Sequence, residues 1–308
     1  MAKKIVNTQK ISHEEWLQLR KGSIGGSDAG ALVGMNPWSS PLQVYLDKKG
    51  ISEEKETSEA MRLGTDLEDY VARRWMEKTG KTCRNDNFMY AHDEYDFITA
   101  NIDRVVVGEN AGLECKTTRM LSRDNEGEVP AYYYAQCQHY MLVKGFERMY
   151  LAVFDRTEPA LYDFIVERND DFINNELLPK EIEFWHEFVV KCEMPAPTED
   201  DVETVKKLYP KAAESITKQL FGVDANLARL NDIKKLQKDL KSESDKLQAM
   251  VCNELGEAEC GMSDSYKVTW KNMSRSTFDN KKLKAERPEV YELYSGTTEY
   301  RKFDFKSI

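Results

Sequence analysis

Apolar positions fall at helical spacing through the front of the chain. Ser12 and Glu15 have the spacing of a capping box, and Trp16 and Leu19 share one face of the helix they open. Ser27 stands where an N-cap is expected, ahead of Ala29, Ala31, Leu32 and Val33, a short helix ending near Gly34 and Pro37. Pro41 opens a further helix over 41–50, with Leu42, Tyr45 and Leu46 inward and Gly50 at its end. The acidic stretch 51–59 reads as a solvated loop or helix entry. A long amphipathic helix then runs over 59–80, with Leu63, Leu67, Val71, Trp75 and Met76 as its apolar stripe.

Between Phe88 and Lys116 the period drops to two, and β-branched and aromatic residues alternate with polar ones. The best-defined pair is 98–106 followed by 112–118, a strand–turn–strand. Helical spacing returns over 130–145, strands are expected at 148–155 and 161–168, and 170–192 is helical again. This order predicts an α/β chain with a mixed sheet flanked by helices. Composition breaks around 193–200, which divides the chain into a domain over 1–198 and an extension over 199–308. In the extension Leu227, Leu230, Ile233, Leu240, Leu247 and Val251 form a helical stripe interrupted at 242–245, read as an amphipathic helix or helical pair. Two strands, 265–271 and 300–305, are expected around a helical 287–294.

The 308 residues are 41% hydrophobic and 32% charged, enough for a real core in a soluble chain. No apolar run approaches the roughly 18 residues of a membrane span, so no membrane partner and a cytoplasmic location are expected. Six cysteines without a CxxC pair are expected to be reduced and mostly buried. Four scattered histidines argue against a histidine-based zinc site. The net charge of -10 disfavours a simple nucleic-acid binder. Residues 266–287 nevertheless carry seven Lys/Arg against two acids, or +5, which is either a solvated face or an added DNA-phosphate surface.

The chemistry concentrates in the middle hairpin. Alternation puts Glu114 and Lys116 on one face of their strand and Cys115 on the other, and a turn at 108–110 brings Asp103 beside Glu114. Two converging carboxylates, joined by the backbone carbonyl of Cys115, make a hard-oxygen site suited to Mg2+ or Mn2+. Lys116 beside them is placed to orient water and stabilise charge on a phosphorane-like transition state. Glu68 supplies a third carboxylate from the long helix, or is an ordinary exposed glutamate. The glycine-rich stretch 20–38 matches neither GxxxxGK[ST] nor GxGxxG, so it is no nucleotide-triphosphate loop.

Taken in series, Arg20, the 24–38 segment, 64-GTDLED-69, Asp103, 114-ECK-116 and 136-QCQHYM-141 resemble the YqaJ-type phage recombination nucleases. These belong with lambda exonuclease in the PD-(D/E)XK superfamily, and the resemblance covers roughly residues 10–195. It implies the restriction-endonuclease-like core and one or two Mg2+ or Mn2+ ions held by Asp103, Glu114, the Cys115 carbonyl and Glu68. Lys116 becomes the motif lysine. Gln136, with Tyr140 four residues on, matches the superfamily's Gln-x3-Tyr helix, and Gln138 competes with Gln136 for that role. Arg20 and Ser27 would grip the 5′-phosphate of a DNA strand. The motif departs from the superfamily name in one place, since Ile102 precedes Asp103.

The activity so implied is metal-dependent exonucleolytic hydrolysis of linear double-stranded DNA, 5′ to 3′. It would act on DNA ends in phage-type recombination, in a bacterial cytoplasm, with a single-strand annealing protein as partner and a homo-oligomer, possible as a ring, as the assembly. A sequence-nonspecific endonuclease and a catalytically silent DNA-binding scaffold are the alternatives. A nuclease carrying a four-cysteine iron–sulfur cluster is excluded by the cysteine spacing.

Overall fold

The computed structural model describes residues 2–52, 58–119, 127–157, 159–213 and 216–306. The middle of the acidic stretch expected as a loop, residues 53–57, lies outside them. The chain divides into two compact units, Met1–Leu208 and Tyr209–Ile308. The first unit runs past the break expected at 198 because Asp201 is fully buried, accepting from Ser40 Oγ at 2.5 Å, while Thr204 accepts from Gln43 Nε2 at 3.2 Å.

The first unit opens with β1 (Lys3–Asn7), a strand that the polar start of the sequence did not announce. Helices α1 (His13–Lys21), α2 (Gly26–Leu32), α3 (Pro41–Lys48) and α4 (Glu59–Thr79) follow. Both halves of the capping box form at α1. At α2 the cap is Gly25 rather than Ser27: Asp28 reaches back to the Gly25 amide at 2.9 Å, which places Ser27 inside the first turn with its hydroxyl turned outward. The stripe of α4 is buried only at its C-terminal half, with Val71 and Trp75 sealed and Leu63 39% exposed.

Next come β2 (Cys83–Asn85), β3 (Phe88–Ala91), β4 (Thr99–Asn101), β5 (Arg104–Val106) and β6 (Ala111–Thr118). Helix α5 (Ala131–Lys144) then leads to β7 (Arg148–Asp155) and β8 (Ala160–Glu167). A helical run α6 over 170–190 and α7 (Val202–Leu208) close the unit. The five-stranded sheet has the order β2-β5-β6-β7-β8, antiparallel except for the parallel pair β6–β7 that α5 connects. A second sheet has the order β1-β3-β4, all antiparallel. The expected strand 98–106 is therefore two strands in two sheets, and the chain changes sheet at Ile102 and Asp103.

Both faces of the larger sheet are covered, as a parallel pair requires. On β7, Tyr150 and Ala152 join Leu113, Val71 and Trp75 in one cluster under α4. Met149, Leu151 and Val153 point the other way, to Cys137 and Met141 of α5. This is a mixed α/β core, a central mixed sheet flanked by helices.

In the second unit α8 (Asp224–Leu255) is one unbroken helix, because serines and acids at 242–245 stay solvated without disturbing the backbone. A hairpin joins β9 (Cys260–Met262) to β10 (Lys267–Thr269), followed by α9 (Asn280–Glu286) and α10 (Pro288–Tyr294). Strand β10 takes its partner from the residues just before it, and 300–305, expected as a strand, forms none. None of the described residues of this unit is buried. All six cysteines are free, but only Cys137 is buried; most thiols here are partly or fully exposed, contrary to expectation.

Candidate active site

Strand β6 alternates between the two faces of its sheet, and this sets the site. Leu113 goes to the α4 side, whereas Glu114 and Lys116 turn toward α5, with Lys116 Nζ 2.7 Å from Glu114 Oε1. The β5–β6 register pairs Arg104 with Leu113, so Asp103 lies one step beyond, next to Glu114. Its carboxylate accepts the Cys115 N–H at 2.9 Å. Leaving both ladders at this corner is what lets Asp103 turn its side chain across the end of the β5 pairing. From α5, Gln136 Nε2 donates to Glu114 Oε1 and to the Tyr140 hydroxyl, both at 2.8 Å. Gln138 points elsewhere, donating to the Glu167 carbonyl at 2.8 Å and accepting the Asn169 N–H at 2.9 Å.

Electrostatics mark the same cluster. Burial, then the neighbouring Glu114 charge, pushes the Asp103 carboxyl up to about 7. Burial works against the Lys116 charge, but Glu114, Tyr140 and Asp103 outweigh it and hold the ammonium well above its ordinary value. Lys116 is therefore a fixed cation, 5.6 Å from the centre of the Tyr133 ring. Glu114 is 2% exposed, and its second oxygen, Oε2, is buried with no hydrogen-bond partner. Such an orphaned acceptor is rare in a folded core. A cation on Oε2 would satisfy that oxygen and offset both the burial and the Glu114 charge that lift Asp103. The residues present fit a divalent, oxygen-preferring metal.

Glu68 is not gathered into this pair. Arg104, whose side chain is 6% exposed, holds Glu68 and reaches Asp69 at 2.6 Å and the Asp103 carbonyl at 2.8 Å. Burial, then the Asp103 charge, raises the Glu68 carboxyl, so it remains within the field of the site. Among the described residues no group of three or more His, Cys, Asp or Glu could hold a metal. Arg104 escaped the sequence reading, though its place directly after Asp103 was a usable signal.

The glycine-rich segment reaches the same helix. Ile24 bridges to Ile98, and Ser23 Oγ lies 2.9 Å from Thr99 Oγ1. Arg20 donates to Ser27 Oγ and stacks 5.0 Å from the Trp16 ring. Lys48 braces the turn, donating to Asp28 at 2.6 Å and to the Arg20 carbonyl at 2.9 Å. Burial opposes the Asp28 charge, but Lys48 and Arg20 prevail and keep its carboxyl below the usual range. Gly26 touches Tyr140 so closely that a Cβ there would lie 2.5 Å from the ring. Gly26→Ala should therefore displace Tyr140 and, through Gln136, Glu114. Whatever the site turns over, the rate is expected to fall about tenfold or more with helicity retained by circular dichroism; a wild-type rate would disprove the connection.

With this geometry in view, residues 15–147 match the YqaJ-like viral recombinase domain. The uncharacterized protein YqaJ of Bacillus subtilis (strain 168) is 35% identical over 317 residues, covering 100% of this chain and 98% of that protein. The chain belongs to the YqaJ family. Solved structures similar to this YqaJ-family chain include an alkaline exonuclease from Laribacter hongkongensis, with 20% identity over 63% of this chain and 96% of that one and a TM-score of 0.49. A putative exonuclease from Eubacterium rectale has 13% identity, covers 70% and 98% of the two chains and has a TM-score of 0.48. Among the described residues of this family member, no helix is long and apolar enough to cross a membrane.

Proposed function

We propose that this chain is a divalent-metal-dependent exonuclease that hydrolyses linear double-stranded DNA from 5′ ends toward 3′ in phage-type recombination. The observation that carries the reading is the buried, unpartnered Oε2 of Glu114, a carboxylate whose other oxygen lies 2.7 Å from the Lys116 ammonium. Asp103, Glu114 and the Cys115 carbonyl would hold Mg2+ or Mn2+, with Glu68 the remaining carboxylate in reach of a second ion. Such an ion, when bound, offsets charge on the phosphoryl and leaving oxygens and acidifies water.

The chain's own groups do the rest. Gln136 fixes the Glu114 carboxylate by its first oxygen and so aims the second; Tyr140 fixes Gln136. Lys116 stays protonated, so its part is to hold charge and orient water rather than to take a proton. As water adds in line and the bond to the 3′-oxygen breaks, negative charge gathers on the phosphoryl group beside that ammonium. The new end left on the shortened strand is a 5′-phosphate. Arg20 and Ser27 would hold the terminal 5′-phosphate. The 3′ strand so exposed suits a single-strand annealing partner, and the chain would act as a homo-oligomer, for which a ring is one form, in a bacterial cytoplasm.

Digestion of 5′-phosphorylated, 5′-hydroxyl and circular duplexes tests this directly. The wild type should prefer phosphorylated ends and spare circles. Ser27→Ala removes one hydrogen bond to a charged group, so KM for phosphorylated ends should rise about tenfold or more, with hydroxyl ends unaffected. Equal use of both ends by the wild type would sink the end anchor, and rapid cutting of circles would sink the exonuclease assignment.

A further inference from the structure

Residues 270–279 join β10 to α9 without forming helix or strand, and all of them are exposed. Trp270, Met273 and Phe278 in this stretch are 53%, 89% and 71% exposed, and Tyr266 just before it is 75% exposed. Cations are interspersed with these side chains. Lys282 and Arg287 are paired, with Glu286 at 3.9 Å and Glu289 at 2.7 Å. Lys267, Lys271, Arg275 and Lys281 have no ion pair among the described residues. The stretch 266–287 is +5 (seven cations less two acids) in a chain of -10.

Large apolar side chains left in water mark a surface that something covers. Their company decides what. The cores of protein–protein interfaces are depleted of lysine, whereas here lysines and an arginine alternate with the rings. Exposed rings set among unpaired cations are the chemistry of single-stranded polynucleotide binding, in which bases stack on the rings and phosphates meet the cations. A duplex keeps its bases stacked on one another and offers nothing to Trp270 or Phe278. We infer that residues 266–287 form a binding strip for single-stranded DNA, carried by the second unit. The choice of DNA over RNA rests on the proposed nuclease, which generates such strands; the strip itself does not.

The test uses the full-length chain in a Lys116→Ala background without divalent metal, so that binding is read apart from cleavage. A labelled thirty-nucleotide oligo-dT is titrated by fluorescence anisotropy, with oligo-U and a duplex of equal length in parallel. Combined Trp270→Ala and Phe278→Ala should weaken oligo-dT binding about tenfold or more and leave duplex affinity within about twofold. Lys271→Glu with Arg275→Glu should reduce the slope of log affinity against log salt by about 1.4, at roughly 0.7 per phosphate. Quenching of tryptophan fluorescence by oligo-dT should shrink in Trp270→Phe, a signal that altered folding alone would not remove. Unchanged oligo-dT affinity in both double variants would overturn the inference and leave a protein as the occupant. Equal losses for duplex would overturn the single-strand assignment, and tighter binding of oligo-U the choice of DNA.

Discussion

Lys116→Ala is expected to lower kcat on linear duplex DNA by about 10²–10³-fold, the usual cost of removing one preorganised charge-stabilising donor. The ammonium lies 2.7 Å from Glu114 Oε1 and is held protonated by the carboxylates around it. Without it, Asp103 and Glu114 face each other with less compensation, and the phosphoryl group loses its nearby positive charge. The loss should be the same on 5′-phosphorylated and 5′-hydroxyl ends, since the proposed mechanism gives Lys116 a part in the cutting step and none in end capture. KM should change little. Single-turnover cleavage with the two substrates measures this, and wild-type rates from a folded Lys116→Ala protein would refute the role.

A second large effect is expected away from the chemistry. His139 and Glu181 are both fully buried, with Nδ1 and Oε1 2.7 Å apart, while His139 Nε2 lies 2.8 Å from the Thr99 carbonyl. A carbonyl only accepts, so Nε2 carries a proton, and an ionised Glu181 requires one on Nδ1 as well. Burial disfavours that imidazolium, but Glu181 and the Thr99 carbonyl outweigh it and raise the histidine above its ordinary value. Glu181→Leu strips away the counter-charge and should destabilise the first unit by about 3–5 kcal/mol. Its melting temperature should fall on the order of 10 °C, whereas Glu181→Gln, which keeps an acceptor for Nδ1–H, should lose much less.

The sign of the pH dependence follows from the raised value. The pair's contribution is whole below the ordinary histidine range and is lost as pH rises through the folded-state value above it. Thermal melts of wild type and Glu181→Leu across that range should therefore converge toward alkaline pH. A constant gap, or no gap, would show that the pair is not ionised in the native protein.

Some of this was legible before any coordinates. Period-two alternation sufficed to put Glu114 and Lys116 together, because a strand leaves no other choice of face. Glycine and proline signals located α3, α4 and α5 closely, with Gly80 and Gly145 in left-handed backbone at the ends of the last two. What failed depended on partners distant in sequence. Gln136 was the favoured glutamine, yet only the position of β6 against α5 shows that it, and not Gln138, bonds Glu114. Ser27 was misread as a cap because the helix already starts at Gly26, with Asp28 reaching back to the Gly25 amide. The Arg104 tie to Glu68 and the buried His139–Glu181 pair join residues from separate elements, and neither has a local pattern. The strand within 265–271 forms, whereas its partner at 260–262 was not expected and the strand expected at 300–305 does not form.

The parallel pairing of β6 with β7 also orders events during synthesis. Asp103 directly precedes β5, and Glu114 lies on β6, its antiparallel neighbour across a short turn, so they can meet as soon as that hairpin has emerged. Gln136 and Tyr140 cannot be pinned until the crossover helix closes and β7, ending at Asp155, has docked beside β6. Non-local closure of this kind is the slower step in folding. A nascent chain therefore carries its acidic pair before it carries the groups that aim it, and the ability to cut arrives with the second half of the sheet.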